Sequence, residues 1–205
     1  MNIRLDRRLK TVAELVRTDK RIADIGTDHA LVPCWLYRQG AKEIYAADIA
    51  EGPLACAKAT AELYGIKDIK FLLSDGLDSV PPVDDVIIAG MGGEMIADIL
   101  SRCTYLNKDM RFILQPMTKD HLLRRELYRN GFEIITEKTA AVSKKVYTVM
   151  LCAYTGEKKE TDPVFAFLGK NRDDEYREKI LQRLEKMGKG EPFYLEIKKE
   201  IEKTP

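Results

Sequence analysis

The chain has 205 residues, 45% hydrophobic and 33% charged, with a formal net charge of +1, which indicates a globular protein with one full core and a small appendage rather than a disordered chain. No apolar run approaches the roughly 20 residues that cross a bilayer, and the N-terminus is charged with no apolar segment behind it, so we expect a cytoplasmic protein with no membrane partner. The four cysteines are widely spaced with no Cys-x-x-Cys pair, which predicts reduced thiols and no metal site.

Apolar residues at helical spacing predict an opening amphipathic helix that ends near Arg17. From there, short apolar runs alternate with helical segments. The predicted strands are residues 21–25, 44–48, 69–73, 86–89 and 112–115, and the predicted helices are 30–39, 53–64, 94–101 and 119–130. Strands and helices that alternate at this spacing predict an α/β fold, in which helices cover both faces of a parallel sheet.

The alternation ends after residue 131. Residues 133–142 and 146–154 are consecutive strand-like runs, which predict an antiparallel hairpin at the edge of the sheet. This arrangement resembles the Rossmann-like class I methyltransferases, and the resemblance implies a mostly parallel sheet of seven strands. A polar linker and two further helices, at 172–187 and 192–203, follow. We therefore predict a Rossmann-like domain at residues 1–155 and a helical hairpin at residues 156–205.

Ligands of open α/β sheets bind at the carboxyl ends of the strands, so the residues just after the first four strands are candidates for a binding site. Asp48 follows the second strand and lies 24 residues beyond Asp24, an interval typical of a carboxylate that binds ribose hydroxyls. Asp75, after the third strand, can accept a hydrogen bond from an adenine amino group. The candidate cofactor-binding residues are Asp24, Gly26, Thr27, Asp28, His29, Asp48, Ile49, Asp75, Gly76, Ala89, Gly90 and Met91.

The residues after the first strand distinguish between nucleotides. The dinucleotide fingerprint Gly-x-Gly-x-x-Gly would place glycines at positions 28 and 31, where this chain has Asp28 and Leu31. A carboxylate close to a pyrophosphate is strongly unfavourable, whereas the sulfonium of S-adenosyl-L-methionine (AdoMet) is cationic. The pattern therefore favours AdoMet over NAD as the cofactor.

Several short blocks together resemble one family more closely. They are Asp24-Ile25-Gly26-Thr27-Asp28-His29-Ala30, Pro33-Cys34, Gly52-Pro53, Asp75-Gly76, Ile88-Ala89-Gly90-Met91-Gly92-Gly93 and Leu114-Gln115-Pro116. Over about residues 5–154 the chain is similar to the bacterial tRNA (adenine-22 N1)-methyltransferases, the TrmK family. The resemblance implies AdoMet as the methyl donor, tRNA as the substrate and partner, and N1 of an adenine as the target. The family usually ends in a longer helical domain, so the C-terminal helical region here is expected to be shortened.

This target suggests a direct in-line displacement. N1 of neutral adenine already carries a lone pair, so no general base is required and the enzyme mainly positions the reactants, after the base has left its stack. We expect Gly90, Met91, Gly92, Gly93, Gln115 and Pro116 to shape the base pocket, and Asp28 and His29 to line it. Asp28 would stabilise the positive charge that develops on the adenine. A turn residue with a packed ring is an equally good interpretation of His29, and His121 is predicted to lie on the surface.

Basic charge is concentrated in two segments. Residues 1–20 carry six Lys or Arg against three Asp or Glu, and residues 102–149 carry ten against five. Such clustering suits a polyanionic partner, but solvated helix faces explain it equally well. The candidate RNA-binding residues are Arg7, Arg8, Arg124, Arg125 and Arg129.

Two other functions fit the sequence. A methyltransferase for a small molecule would have a closed pocket and no need of RNA, and the basic segment after residue 101 counts mildly against it. The other alternative is a nucleic-acid-binding protein that keeps the AdoMet-binding fold without binding or using AdoMet. The carboxylates of Asp48 and Asp75 count against it, because an inactive site has no need of them. The oligomeric state is open, with a monomer favoured.

Overall fold

The computed structural model describes residues 2–203. Its strands are β1 (Ile22–Ile25), β2 (Ile44–Asp48), β3 (Ile69–Leu73), β4 (Asp85–Gly92), β5 (Arg111–Thr118), β6 (Phe132–Val142) and β7 (Lys145–Tyr154). Its helices are α1 (Arg7–Ala13), α2 (Leu31–Arg38), α3 (Glu51–Leu63), α4 (Gly93–Ser101), α5 (Asp120–Arg129), α6 (Pro163–Leu168), α7 (Asp174–Gly188) and α8 (Phe193–Lys203). In residues 2–203 no helix is long and apolar enough to cross a membrane.

The strands form one sheet in the order β3-β2-β1-β4-β5-β7-β6. The first five strands pair in parallel, whereas β7 runs antiparallel to both β5 and β6. The predicted α/β class, the seven strands and the antiparallel edge are thereby confirmed. All four residues of β1 are buried, as expected for a central strand that is covered by helices on both faces.

The opening helix is shorter than its sequence pattern predicted. It begins after Asp6, whose carboxylate accepts a hydrogen bond of 2.7 Å from the backbone N–H of Leu9, and it ends at Ala13 rather than near Arg17. Beyond the helix, the Arg17 backbone and guanidinium both donate to the fully buried carboxylate of Asp85, each at 2.8 Å. The chain leaves the helix early because a buried charge without a partner would be strongly destabilising.

The two central strands also extend beyond their predicted ends. β4 continues past Ala89 to Gly92, and β5 continues past Gln115 to Thr118. Their pairing is irregular between Ala89 and Met91, which is the mark of a β-bulge. Gly90, Met91 and Gly92 therefore lie in an irregular strand end, and Gly93 begins α4.

The C-terminal helices have a small core of their own. Its buried residues are Phe167, Tyr176, Ile180, Leu184, Ile197 and Ile201. α7 begins after Asp173, whose carboxylate accepts from the backbone N–H of Tyr176 at 3.0 Å. The two predicted helices are present, and α6 precedes them as a short helix. The division of the chain at residue 155 stays a prediction.

Candidate active site

The sheet order reverses at β1, which lies between β2 and β4. Ile25, the last residue of β1, pairs in parallel with both neighbouring strands. Gly26, Asp48 and Ala89 each follow directly on one of these paired residues and are therefore brought side by side. This is the switch point at which doubly wound sheets bind their ligands.

Two adjoining cavities open at this edge. One, of about 470 Å³, is called here the acidic cavity, and it is lined by Arg8, Asp24, Thr27, Asp28, His29, Asp48, Ala89, Gly90 and Met91 among others. The other, of about 410 Å³, is called the apolar cavity, and it is lined by Ile49, Asp75, Gly76, Met91, Met95, Ile99 and Arg102 among others. Gly26, Asp48 and Met91 line both cavities. All twelve of the candidate cofactor-binding residues thus lie in this continuous site.

Gly26 permits the turn that follows β1. Its φ of +75° is a conformation that other residues rarely adopt, and its N–H donates to the Ala47 carbonyl at 2.8 Å. A Cβ at this position would lie 2.2 Å from the Met91 methyl carbon. The positive φ is what requires glycine here, and the flexible end of the Met91 side chain lies over it, between the two cavities.

Asp24 is a buried carboxylate in the acidic cavity. Burial, together with a smaller effect of the nearby Asp48 carboxylate, raises its pKa from 3.8 to about 6. The nearby Thr27 hydroxyl opposes part of this rise in pKa. Its geometry is not that of an ordinary hydrogen bond to Asp24, and Thr27 Oγ1 has no hydrogen-bond partner in residues 2–203. A carboxylate and a hydroxyl are thus available to a polar or cationic ligand.

Asp28 and His29 stand at the open side of the acidic cavity. Their side chains are 71% and 59% exposed, and 3.6 Å separates Asp28 Oδ2 from His29 Nε2. The interpretation of His29 as a turn residue with a packed ring is therefore wrong, because most of the ring is free. Both side chains are accessible to a substrate that enters this cavity.

Arg8 joins the N-terminal helix to the end of β5. Its Nη1 donates to Gln115 Oε1 at 2.6 Å, while Gln115 Nε2 donates to the Pro116 carbonyl at 2.8 Å. A Cβ at Gly90 would lie 3.9 Å from the same Arg8 nitrogen. The guanidinium is therefore held inside the acidic cavity, as a cation among three carboxylates.

The apolar cavity combines exposed apolar side chains with hydrogen-bond acceptors. Ile49 and Met95 are 68% and 58% exposed, which is unusual for large apolar residues and is typical of a binding surface. Asp48 Oδ1 accepts from the backbone N–H of Ala50 at 3.0 Å. Asp75 is paired with Arg102 at 2.9 Å, so this carboxylate already has a cationic neighbour.

Four of the residues expected to shape a base pocket line neither cavity. They are Gly92, Gly93, Gln115 and Pro116. A Cβ at Gly93 would lie 2.4 Å from the Lys119 carbonyl oxygen, so this glycine allows α4 and α5 to begin close together. Gln115 is fully buried and contacts the acidic cavity only through Arg8.

The five arginines expected to contact RNA have different environments. Arg7 is exposed, whereas Arg8 lies in the acidic cavity. Arg129 pairs with Glu126 and Glu160, and Arg125 approaches Glu126 at 3.6 Å.

Arg124 is a correction to the sequence-based expectation, because it is fully buried and cannot reach a phosphate. Its guanidinium forms two hydrogen bonds with Glu137, at 2.7 and 3.0 Å, and one of 2.7 Å with the Tyr176 hydroxyl. His121 was also assigned wrongly to the surface. Its side chain is 14% exposed and its ring stacks on Phe167, with 4.6 Å between the centroids.

Sequence reasoning placed Arg8 on an RNA-binding surface and missed its place in the site. The available signal was its spacing, because Arg8 lies three residues after Leu5 and four before Val12, on the face of α1 that packs inward. A cation on an apolar helix face needs a specific partner. Sequence reasoning also did not place Arg102 and Met95 in the site, and no spacing or motif in the sequence indicates that position for them.

Fold and site together define a methyltransferase domain, and residues 5–150 match the family described by that name. The chain is 35% identical over 154 residues to the tRNA (adenine(22)-N(1))-methyltransferase of Bacillus subtilis, an alignment that covers 73% of this chain and 65% of that protein. The chain belongs to the TrmK family.

Solved structures extend this similarity to the C-terminal helices. The B. subtilis m1A22 tRNA methyltransferase TrmK superposes with a TM-score of 0.81 at 27% identity, over 98% of this chain and 95% of that one. M. capricolum TrmK, in complex with the cofactor product S-adenosyl-homocysteine, superposes with a TM-score of 0.77 at 26% identity, over 97% and 95% of the two chains.

Proposed function

We propose that the protein is a cytoplasmic enzyme that transfers the methyl group of AdoMet to N1 of an adenine in tRNA, the adenine at position 22 that its B. subtilis relative is named for. The observation that carries the proposal is the pair of adjoining cavities that share Gly26, Asp48 and Met91. One cavity has exposed apolar side chains with acceptors at its rim, and the other is lined by several ionisable side chains. Such a pair suits a cofactor that spans both cavities, with a nucleobase at the mouth of the acidic cavity.

The adenosine of AdoMet fits the apolar cavity. Ile49 and Ile99 offer apolar surface for the faces of the adenine ring, and Asp48 can accept from the ribose hydroxyls. Asp75 can accept from the adenine amino group while it keeps its pair with Arg102. These residues would fix the cofactor by shape and by hydrogen bonds.

The amino-acid end of AdoMet fits the acidic cavity. Its carboxylate matches the guanidinium of Arg8, which Gln115 holds in place at 2.6 Å. Its ammonium matches the buried carboxylate of Asp24, whose pKa of about 6 leaves it mostly ionised at neutral pH. Both charges of this zwitterion would therefore find an opposite charge.

When bound, AdoMet supplies an electrophilic methyl group on a cationic sulfonium. The residues of the chain have to position the acceptor, because adenine N1 already has a lone pair. Asp28 and His29, both exposed at the mouth, would contact the extruded base, and the Asp28 carboxylate would stabilise the positive charge that the base acquires.

The test is transfer of labelled methyl from AdoMet to an unmodified tRNA transcript, followed by nucleoside analysis of the digest. We expect the label in 1-methyladenosine, and none in a matched transcript that has guanine at position 22. Label in another nucleoside would contradict the proposed target atom. Binding of AdoMet without transfer to any tRNA would indicate a small-molecule acceptor instead.

A further inference from the structure

The β6–β7 hairpin separates from the rest of the sheet at the edge that carries the active site. Pairing between β5 and β7 stops at Leu114 and Met150, whereas pairing between β6 and β7 continues to Val142 and Lys145. Residues 138–142 and 145–149 therefore form a two-stranded projection, called here the hairpin arm, with its tip at residues 143–145. The arm runs beside the last residues of β5 without pairing to them.

Helices hold the hairpin arm in place. Ala140 and Val149 are fully buried in the same apolar cluster as Val12 of α1. α7 also contacts the arm, since Lys179 Nζ donates to the Val146 carbonyl at 2.6 Å. An arm fixed in this way can present its tip at a constant position beside the active site.

A groove of about 700 Å³ lies between the arm, the end of β5 and α7. At the β5 end it is lined by Met117, which is 40% exposed and follows directly on Pro116. The groove therefore begins close to Gln115, the hydrogen-bond partner of Arg8, and so close to the acidic cavity. A strand of nucleic acid whose base occupied the acidic cavity would have to continue past this edge.

The tip of the arm brings free positive charge to the groove. Lys144 and Lys145 are exposed, and neither forms an ion pair with any residue from 2 to 203. The other side of the groove, on α7, carries Glu175, Glu178 and the half-buried Lys179. A phosphate in the groove is therefore drawn toward the arm and away from α7.

We infer that the groove receives the RNA backbone beside the target adenine, with Lys144 and Lys145 contacting its phosphates. The inference rests on the proposed function. A base that has been extruded stays joined to its neighbours, so the flanking phosphates lie within a nucleotide or two of the active site. Lysines at a fixed distance from that site bind these phosphates and hold the strand, and they take no part in the chemistry.

The experiment compares the double variant K144A/K145A with the matched control K42A/K67A. Lys42 and Lys67 are also exposed and lie before β2 and β3, at the opposite end of the sheet from the active site. Equilibrium binding of a tRNA transcript is measured by fluorescence anisotropy at salt concentrations from about 50 to about 200 mM. Contacts to phosphates weaken strongly over this range. The KM for tRNA and the Kd for AdoMet are measured on the same proteins.

We expect K144A/K145A to bind tRNA roughly tenfold more weakly, with a log–log salt slope reduced by about 1.4 to 1.8, as the loss of two phosphate contacts predicts. Its KM for tRNA should rise, while kcat at saturating tRNA and the Kd for AdoMet stay unchanged. K144R/K145R should restore binding. Affinity and slope equal to those of K42A/K67A would overturn the inference and leave the proposed function intact.

Two results with the unsubstituted protein bear on the proposed function. Normal tRNA binding with no methyl transfer would overturn the proposed function alone, and absence of tRNA binding would overturn both.

Discussion

Arg8 of the N-terminal helix donates a hydrogen bond of 2.6 Å to the buried amide of Gln115, 107 residues further along the chain. The contact holds a guanidinium over Gly90 at the point where β4 and β5 end. Since Gln115 Nε2 is engaged by its own strand, only its Oε1 is available, and that atom orients the cation. The first helix of the fold thus contributes a side chain to the candidate cofactor site.

Replacement of Arg8 by lysine is predicted to weaken AdoMet binding by about tenfold, because an ammonium cannot bind Gln115 and a carboxylate with the paired geometry of a guanidinium. Isothermal titration measures the Kd. Arg7→Lys is the matched control, since Arg7 is the preceding residue and is exposed. An Arg8→Lys variant with unchanged Kd would show that the guanidinium does not hold the cofactor.

Asp24→Asn is predicted to stabilise the protein without ligand and to weaken AdoMet binding. The folded-state pKa of about 6 lies above the ordinary value of 3.8, so the unfolded chain releases this proton more readily than the folded protein. The free energy of unfolding therefore falls as pH rises from about 4 to about 6, and it stays at the lower value above about pH 6. The neutral amide removes this penalty, which corresponds to about 1 to 3 kcal/mol at pH 7. Thermal unfolding of both proteins at pH 4 and pH 7 measures it.

The same group makes cofactor binding depend on pH. In the unsubstituted protein the affinity for AdoMet should fall as pH drops below about 6, because the protonated carboxyl no longer attracts the ammonium. Asp24→Asn should bind more weakly at pH 7 and show no such decline. A parallel pH dependence in the two proteins would assign the titration to another group.

Asp28→Asn tests charge stabilisation at the mouth of the acidic cavity. The Asp28 side chain is 71% exposed, so the substitution should leave the fold unchanged. We expect kcat to fall by about ten- to a hundredfold with little change in the Kd for AdoMet, because the charge acts on the methylated base. Single-turnover methylation of tRNA measures the rate, and full turnover with unchanged AdoMet affinity would show that Asp28 has no such role.

The fold and most of the residues that line the candidate site were predictable from local sequence. Glycine after a strand meets the requirement of a tight turn, and a carboxylate at residue 24, 48 or 75 offers an acceptor to a ligand such as a ribose. A single short segment of sequence can meet each of these requirements. The position of Arg8 was not predictable in the same way. Its partner is on a strand more than a hundred residues away, and only the register of β4 and β5 brings Gln115 to it.

Arg124 shows the limit of local patterns most clearly. On α5 it has the surroundings of a solvent-exposed basic residue, with Arg125 next to it and Arg129 one turn further. Its burial depends on Glu137 in β6 and on Tyr176 in α7, and the latter contact forms only when the C-terminal helices pack against the sheet. The spacing of Leu123, Arg124 and Leu127 does place Arg124 on the buried face of α5, but it does not indicate which partners would neutralise the charge.

Arg124→Met is accordingly predicted to lower the free energy of unfolding by about 3 to 5 kcal/mol, because it leaves the carboxylate of Glu137 buried without its partner. The variant R124M/E137Q, which removes the charge of both partners, should recover a large part of that loss. Arg129→Ala is the control on the same helix, where an exposed ion pair contributes little, and its unfolding midpoint should not change. Urea unfolding of the three variants measures the differences. If Arg124→Met unfolded at the same urea concentration as Arg129→Ala, the buried guanidinium and its hydrogen bonds to Glu137 and Tyr176 could not contribute much to stability.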